Sequence, residues 1–113
     1  MTIKFTKYGK NVALPITITI PNLEKFRIEF IDFGHRNSPD KSGKASSYAN
    51  YIEYLIQNYY DNFDEILNPL DKKSAEKLVA FRTISESLFI DYNRSESRFP
   101  NAAIEEFIKF HER

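Results

Sequence analysis

Two different spacings of apolar residues divide the chain. In the first third, large apolar side chains recur at every second position. Ile3 and Phe5 are interleaved with Lys4 and Thr6, Ile16, Ile18 and Ile20 with Thr17 and Thr19, and Phe26, Ile28 and Phe30 with Lys25, Arg27 and Glu29. A period of two places one set of side chains on one face of an extended chain, which is the signature of a half-covered strand. The pattern predicts a short edge strand over residues 2–8 and a turn at 9–11. It predicts a second strand over 16–20, trimmed by Pro15 and Pro21, and a third from Phe26 towards Phe33, joined to the second by a hairpin loop at 21–24.

Residues 34–43 carry no periodicity and hold Gly34, Gly43, Pro39, Asn37 and two Ser, so they read as a loop. Beyond them the period becomes 3.6. Tyr48, Tyr51, Ile52, Leu55, Ile56 and Tyr59 form one continuous helical stripe, with Ser46 or Ser47 placed to cap its start. Phe63, Ile66 and Leu67 suggest a short helical turn ending near Asn68 and Pro69. Asp71 then caps a helix with Ala75, Leu78, Val79 and Phe81 on its apolar side. Residues 93–98 are polar and read as loop. Pro100 suits the first turn of a last helix carrying Ala103, Ile104, Phe107 and Ile108, with Lys109, His111 and Arg113 at its negative end. The expected fold is α+β: an N-terminal two- or three-stranded antiparallel sheet packed by its Phe face against three or four C-terminal helices. It is a single domain over 1–113, β-rich in 1–34 and helical in 45–113.

Length and composition narrow the setting. A chain of 113 residues, 42% hydrophobic with 10 Phe and 7 Tyr, supports one core and not two. No apolar run approaches the roughly 18 to 20 residues of a membrane span, and the N-terminus lacks the layout of a signal peptide. Together with the absence of Cys, this points to a cytoplasmic protein in a reducing compartment. Sixteen basic residues balance sixteen acidic ones, which argues against a protein that grips nucleic acid by bulk charge alone. The distribution is uneven. Residues 1–44 carry eight basic and four acidic side chains, whereas residues 45–69 carry four acidic ones and no Lys or Arg. The contrast fits a basic binding face, or simple attraction between the two segments.

Candidate chemistry is sparse. Gly43 and Lys44, lying between an expected strand and a helix, invite comparison with a phosphate-binding loop. Ser38 stands where that motif needs Gly, however, and Ala45 where it needs a hydroxyl, so nucleotide hydrolysis is excluded. A weaker property survives: free N–H groups at a helix start attract anions, and Lys41, Lys44, Ser46 and Ser47 can add donors to a backbone phosphate. His35 and His111 are the only histidines, and neither has partners at metal-ligand or triad spacing. No catalytic residue, metal or small-molecule cofactor is expected, and the chain reads as non-enzymatic. Tyr54 and Tyr60 lie off the main stripe and are expected to be exposed, as protein-interface residues or as stacking platforms for bases.

Three pieces carry a family likeness. The run Lys44-Ala45-Ser46-Ser47-Tyr48-Ala49-Asn50-Tyr51-Ile52-Glu53-Tyr54-Leu55, the short Asp64-Glu65-Ile66-Leu67, and the closing stretch from Asn101 to Phe110 resemble the helical, SAM-like domain that precedes the catalytic part of some restriction endonucleases and phage-type integrases. The likeness spans residues 41–113. It rests on helix-periodic apolar positions and one Ser-Tyr pair; no nuclease domain follows, and the first third is not part of the pattern. The resemblance implies DNA near Lys44, Ser46, Ser47, Arg94 and Arg98.

With Arg36 and Lys41 from the neighbouring loop, these residues make up the expected nucleic-acid surface. The leading expectation is a small DNA-contacting module, encoded by a phage or mobile element. The alternative is a protein-binding inhibitor or adaptor, such as a phage anti-defence protein of the anti-CRISPR or anti-restriction kind, acting on a host protein. Either could be a homo-oligomer, and neither engages a membrane.

Overall fold

A computed structural model describes residues 16–37, 42–84 and 99–113. Among the described residues four helices occur in this order: α1 (Leu23–Asn37), α2 (Ser42–Phe63), α3 (Lys72–Ile84) and α4 (Phe99–Glu112). Among the described residues there is no strand. The expected N-terminal sheet is therefore corrected to helix over residues 23–37 and to a non-repetitive segment over 16–22. The strand expected over 2–8 lies outside the described residues.

The reason is a degeneracy in the pattern. Phe26 and Phe30 share a face whether the period is two or 3.6, so these two residues do not discriminate. Leu23, Phe33 and Gly34 do, because with Phe26 and Phe30 they complete a helical stripe that excludes Ile28. In the fold Phe26 and Phe30 are 0% and 1% exposed, while Ile28 is 64% exposed. The start of α1 is set locally. Asn22 adopts a left-handed φ of 56°, which Asn tolerates better than most residues, and its carbonyl accepts the first helical bond from the Phe26 N–H at 2.8 Å. What looked like a hairpin loop is the first turn of a helix.

Helix α2 is the centre of the molecule. Tyr51, Ile52, Leu55, Ile56 and Tyr59 are buried as their spacing requires, but Tyr54, Gln57 and Asn58 are also buried, at 1%, 4% and 2% exposure. A helix covered nearly all round must have neighbours on several sides. Here α1, α3 and α4 all pack on it, and α4 also packs on α1 and α3. Between α1 and α4 lies a box of phenylalanines: Phe26 and Phe30 stack at 5.0 Å, and Phe107 and Phe110 meet both edge-on at 5.4 to 6.4 Å. A smaller cluster of Tyr59, Phe63 and Phe81 joins α2 to α3. Edge-to-face pairs of this kind add about 0.5 to 1.5 kcal/mol each beyond the area they bury.

The β-branched run near the start has kept its alternation without becoming part of a sheet. Ile20 is buried, Ile16 and Ile18 pack against the core, and Thr17 and Thr19 face outward. The side chain of Gln57 meets the backbone here. Its Oε1 accepts the Thr17 N–H at 2.9 Å, and its Nε2 donates to Thr17 Oγ1 at 3.1 Å and to Asp61 Oδ1 at 2.9 Å. A carboxamide carries the same donor and acceptor groups as a peptide unit, so one side chain from α2 supplies bonding that a neighbouring strand would otherwise give.

Helix ends follow their residues. Helix α2 is already under way at Ser42, one turn before Ser46 and Ser47, so neither of these caps it. Asp64 ends α2 with a left-handed φ of 55° and donates its N–H to the Tyr60 carbonyl at 2.8 Å, and the expected helical turn at residues 63–67 is instead the end of α2 followed by irregular chain. Asp71 caps α3 as expected: its Oδ2 accepts the Ser74 N–H at 2.9 Å and its carbonyl accepts the Ala75 N–H at 2.9 Å. In return, Ser74 Oγ accepts the Asn68 N–H at 3.2 Å, which fastens the 68–71 turn onto the helix it precedes.

The α1 to α2 crossing is close enough to need glycine. A Cβ built on Gly34 would stand 2.8 Å from the Ala45 Cβ, and Ala45 is itself buried on a rigid helix. Gly34→Ala gains about 1 kcal/mol of helix propensity but incurs an overpacking cost of about 1 to 3 kcal/mol. The expected result is a net loss of up to about 2 kcal/mol in urea denaturation, and a Gly34→Ala variant more stable than the parent would contradict the close crossing. Gln57→Ala is expected to cost about 1 to 3 kcal/mol, because it leaves the Thr17 amide and the Asp61 carboxylate without their partner. Faster hydrogen exchange at the Thr17 amide is the local readout. Asp71→Ala should cost about 1 kcal/mol in the same assay.

Candidate functional site

The expected nucleic-acid residues collect at the corner where α1 ends and α2 begins, as far as they are described. Arg36 is exposed in the last turn of α1, but its guanidinium is 2.6 Å from Asp32 one turn earlier, so its charge is largely answered within the helix. Ser46 is half-buried and Ser47 exposed on the second turn of α2. Lys44 lies in the first turn of α2, which contains no acidic residue. Lys41, Arg94 and Arg98 lie outside the described residues.

Helix α4 adds a group to this corner that no local pattern announces. Glu106 reaches it, with Oε1 4.0 Å from the position a Gly34 Cβ would take. Tyr48 senses the same carboxylate: burial raises its hydroxyl pKa first, and Glu106 raises it further. A phosphate approaching the corner therefore meets a carboxylate as well as the start of α2, and only tertiary packing brings Glu106 there.

The two tyrosines expected at an interface separate. Tyr54 is 1% exposed and cannot contact a partner, which corrects its expected role; Tyr60 is half-buried. Burial raises the Tyr54 hydroxyl pKa far above the usual phenol range, with the Asn58 hydrogen bond opposing the shift and Asp61 adding to it. The sequence placed Tyr54 off the main stripe correctly, but α2 is buried on that side too.

The outer face of α1 shows what the strand reading hid. Ile28 stands exposed in mid-helix, and Leu23 and Ile31 lie half-buried beside it. Together with Glu24 and Arg27 they line a shallow groove, which continues past Lys25 and Glu29 towards Ile20 and Asn22. Arg27 is anchored from behind: its guanidinium donates to Asn50 Oδ1 at 2.8 Å and lies 3.7 Å from Glu53. This pair links the basic first third to the acidic middle at one point. Testing residues 23–37 at a period of 3.6 would have put Ile28 outside the core stripe, so the signal was present in the spacing.

Among the described residues no group of three or more His, Asp or Glu side chains stands close enough to hold a metal ion, and no helix is long and apolar enough to cross a membrane. His35 is exposed near the end of α1, and His111 is half-buried on α4. Compared with protein-family models, curated proteins and solved structures, the chain shows no significant match to any of them.

The geometry of Arg27 gives a direct check. Arg27→Ala should lower stability by no more than about 1 kcal/mol, the range of partly exposed ion pairs, and added salt should narrow the difference from the parent in thermal melts.

Proposed function

We propose that this protein is a small non-enzymatic module that acts in the cytoplasm by binding another protein through the outer face of α1, as an inhibitor or adaptor. The observation that carries this reading is Ile28, a β-branched apolar side chain 64% exposed in the middle of a well-packed helix. Leu23 and Ile31 extend it into a strip, and Glu24, Lys25 and Arg27 provide a charged border. An apolar centre with a polar rim is the usual composition of a protein interface, and an apolar strip along one helix suits insertion into a partner groove. A net charge of zero also suits a protein partner better than a polyanion.

A second reading rests on the start of α2, which combines the N-terminus of a 22-residue helix with Lys44 and no acidic side chain in its first turn. These features support contact with a DNA phosphate, involving Lys41, Lys44, Ser46 and Ser47. Glu106 and the Asp32 to Arg36 pair oppose it, so it stands behind the protein-binding reading.

Ile28→Asp separates the two. The substitution lies on the surface and should change stability by less than about 0.5 kcal/mol, while abolishing the stoichiometric complex that the parent protein retains from lysate. If Ile28→Asp retains the same partner at the same yield, the α1 face is not the interface. DNA contact would appear instead as a fluorescence anisotropy change that collapses with added salt and is lost in a Lys41→Ala, Lys44→Ala double variant.

A further inference from the structure

We propose that the outer face of α1 pairs with the same face of a second copy of this chain, the two helices antiparallel and Ile28 on the two-fold axis. The proposal rests on the reading of this face as a contact surface and names one occupant for it. Successive residues turn by about 100° around a helix. Ile28 therefore stands opposite the buried Phe26 and Phe30, and the positions nearest to it are Glu24, Lys25, Ile31, Asp32 and His35. Of these only Ile31 is partly covered. Ile28 also lines both parts of the shallow groove, so it forms a ridge beside a recess that a second copy can fill with its own ridge.

The charges around Ile28 match themselves in reverse order. Lys25 and Asp32 lie on one side of Ile28, about 4.5 Å before it and about 6 Å after it along the axis at 1.5 Å per residue. Glu24 and Ile31 lie on the other side. A two-fold axis through Ile28, perpendicular to both helices, reverses the heights and keeps the sides. Lys25 then comes level with the partner's Asp32, and Glu24 lays its aliphatic stem over the partner's Ile31. By symmetry the Lys to Asp pair forms twice, and each Asp32 bridges its own Arg36, 2.6 Å away, and a lysine from across the axis. Parallel pairing lacks this match, because it sets each of Glu24, Lys25 and Asp32 against its own copy. A net charge of zero leaves no overall repulsion between copies. With one helix of 15 residues from each copy, the contact lies at or below the about 1,200 Å² where standard interfaces begin, so the pair exchanges and another protein can take its place.

Sedimentation equilibrium of the whole chain, from micromolar to millimolar concentration, should show a monomer to dimer equilibrium. Lys25→Asp and Asp32→Lys each turn two attractions into repulsions and should weaken it about tenfold, and the double variant Lys25→Asp, Asp32→Lys should recover most of that loss. Ile28→Asp should leave monomer alone. A parent that stays monomeric at millimolar concentration overturns the proposal, as does a double variant no stronger than either single one. Loss of the lysate complex in Ile28→Asp beside a monomeric parent would refute self-pairing and keep the contact-surface reading. A dimer broken by Ile28→Asp, with the lysate complex retained, would support self-pairing and remove the inhibitor or adaptor role from this face.

Discussion

Everything else in this fold depends on keeping α2 buried on nearly every side. A helix in that position can present few charged residues, and it must be approached closely by each of its neighbours. Between Tyr51 and Tyr59 only Glu53 remains partly exposed, and Arg27 and Asn50 stand beside it at the α1 boundary. The close approach comes from small residues. Gly34 on α1 faces Ala45 on α2, with Ala49 completely buried one turn further on, so the two backbones come together where any larger side chain would hold them apart. The opening that small residues leave at one end is filled at the other by large ones, where Phe26, Phe30, Phe107 and Phe110 form the wedge between α1 and α4.

Burying a helix this completely brings polar groups into the interior, and each needs a partner. Gln57 shows how that need can organise the chain. In an apolar setting its carboxamide would cost several kcal/mol if left unbonded, yet here it makes three hydrogen bonds and holds residues 16–20 against the core. The isoleucines of that segment bury their side chains in the alternating manner of a strand, while the backbone bond comes from a helix side chain. The same economy appears at the 68–71 turn, where Asn68, Asp71, Ser74 and His111 interlock three local bonds and one long-range bond into one joint between α3 and α4.

The candidate surfaces follow from this packing. Because α1 buries Phe26, Phe30 and Gly34, its opposite side must carry whatever else lies in that stretch, and that includes Ile28. The corner between α1 and α2 has the reverse history: it collects cationic and hydroxyl residues by chain proximity, and the fold then sets Asp32 and Glu106 among them. Charge that looks available along the sequence is partly answered in space, so the balance moves from a phosphate-binding corner towards an apolar helix face.

The sequence by itself determined the elements whose pattern admits one interpretation. The Tyr48 to Tyr59 stripe, the Asp71 cap and the Ala103 to Ile108 face are helical because six or so apolar positions at 3.6 spacing, or a capping carboxylate three residues before a free N–H, have no strand equivalent. In residues 23–33 Phe26 and Phe30 satisfied both periods, and the β-branched run before them suggested a sheet for them to join, against the helical spacing of Leu23 and Phe33. The tertiary structure decided that case, because a helix there buries Phe26 and Phe30 in the core beside Phe107 and Phe110 of α4, at the cost of leaving Ile28 in water. It also decided the fate of Tyr54 and of Glu106. Whether a side chain off the main stripe meets solvent, and whether a distant carboxylate arrives beside a basic loop, depends on which helices surround it, and no local spacing contains that information.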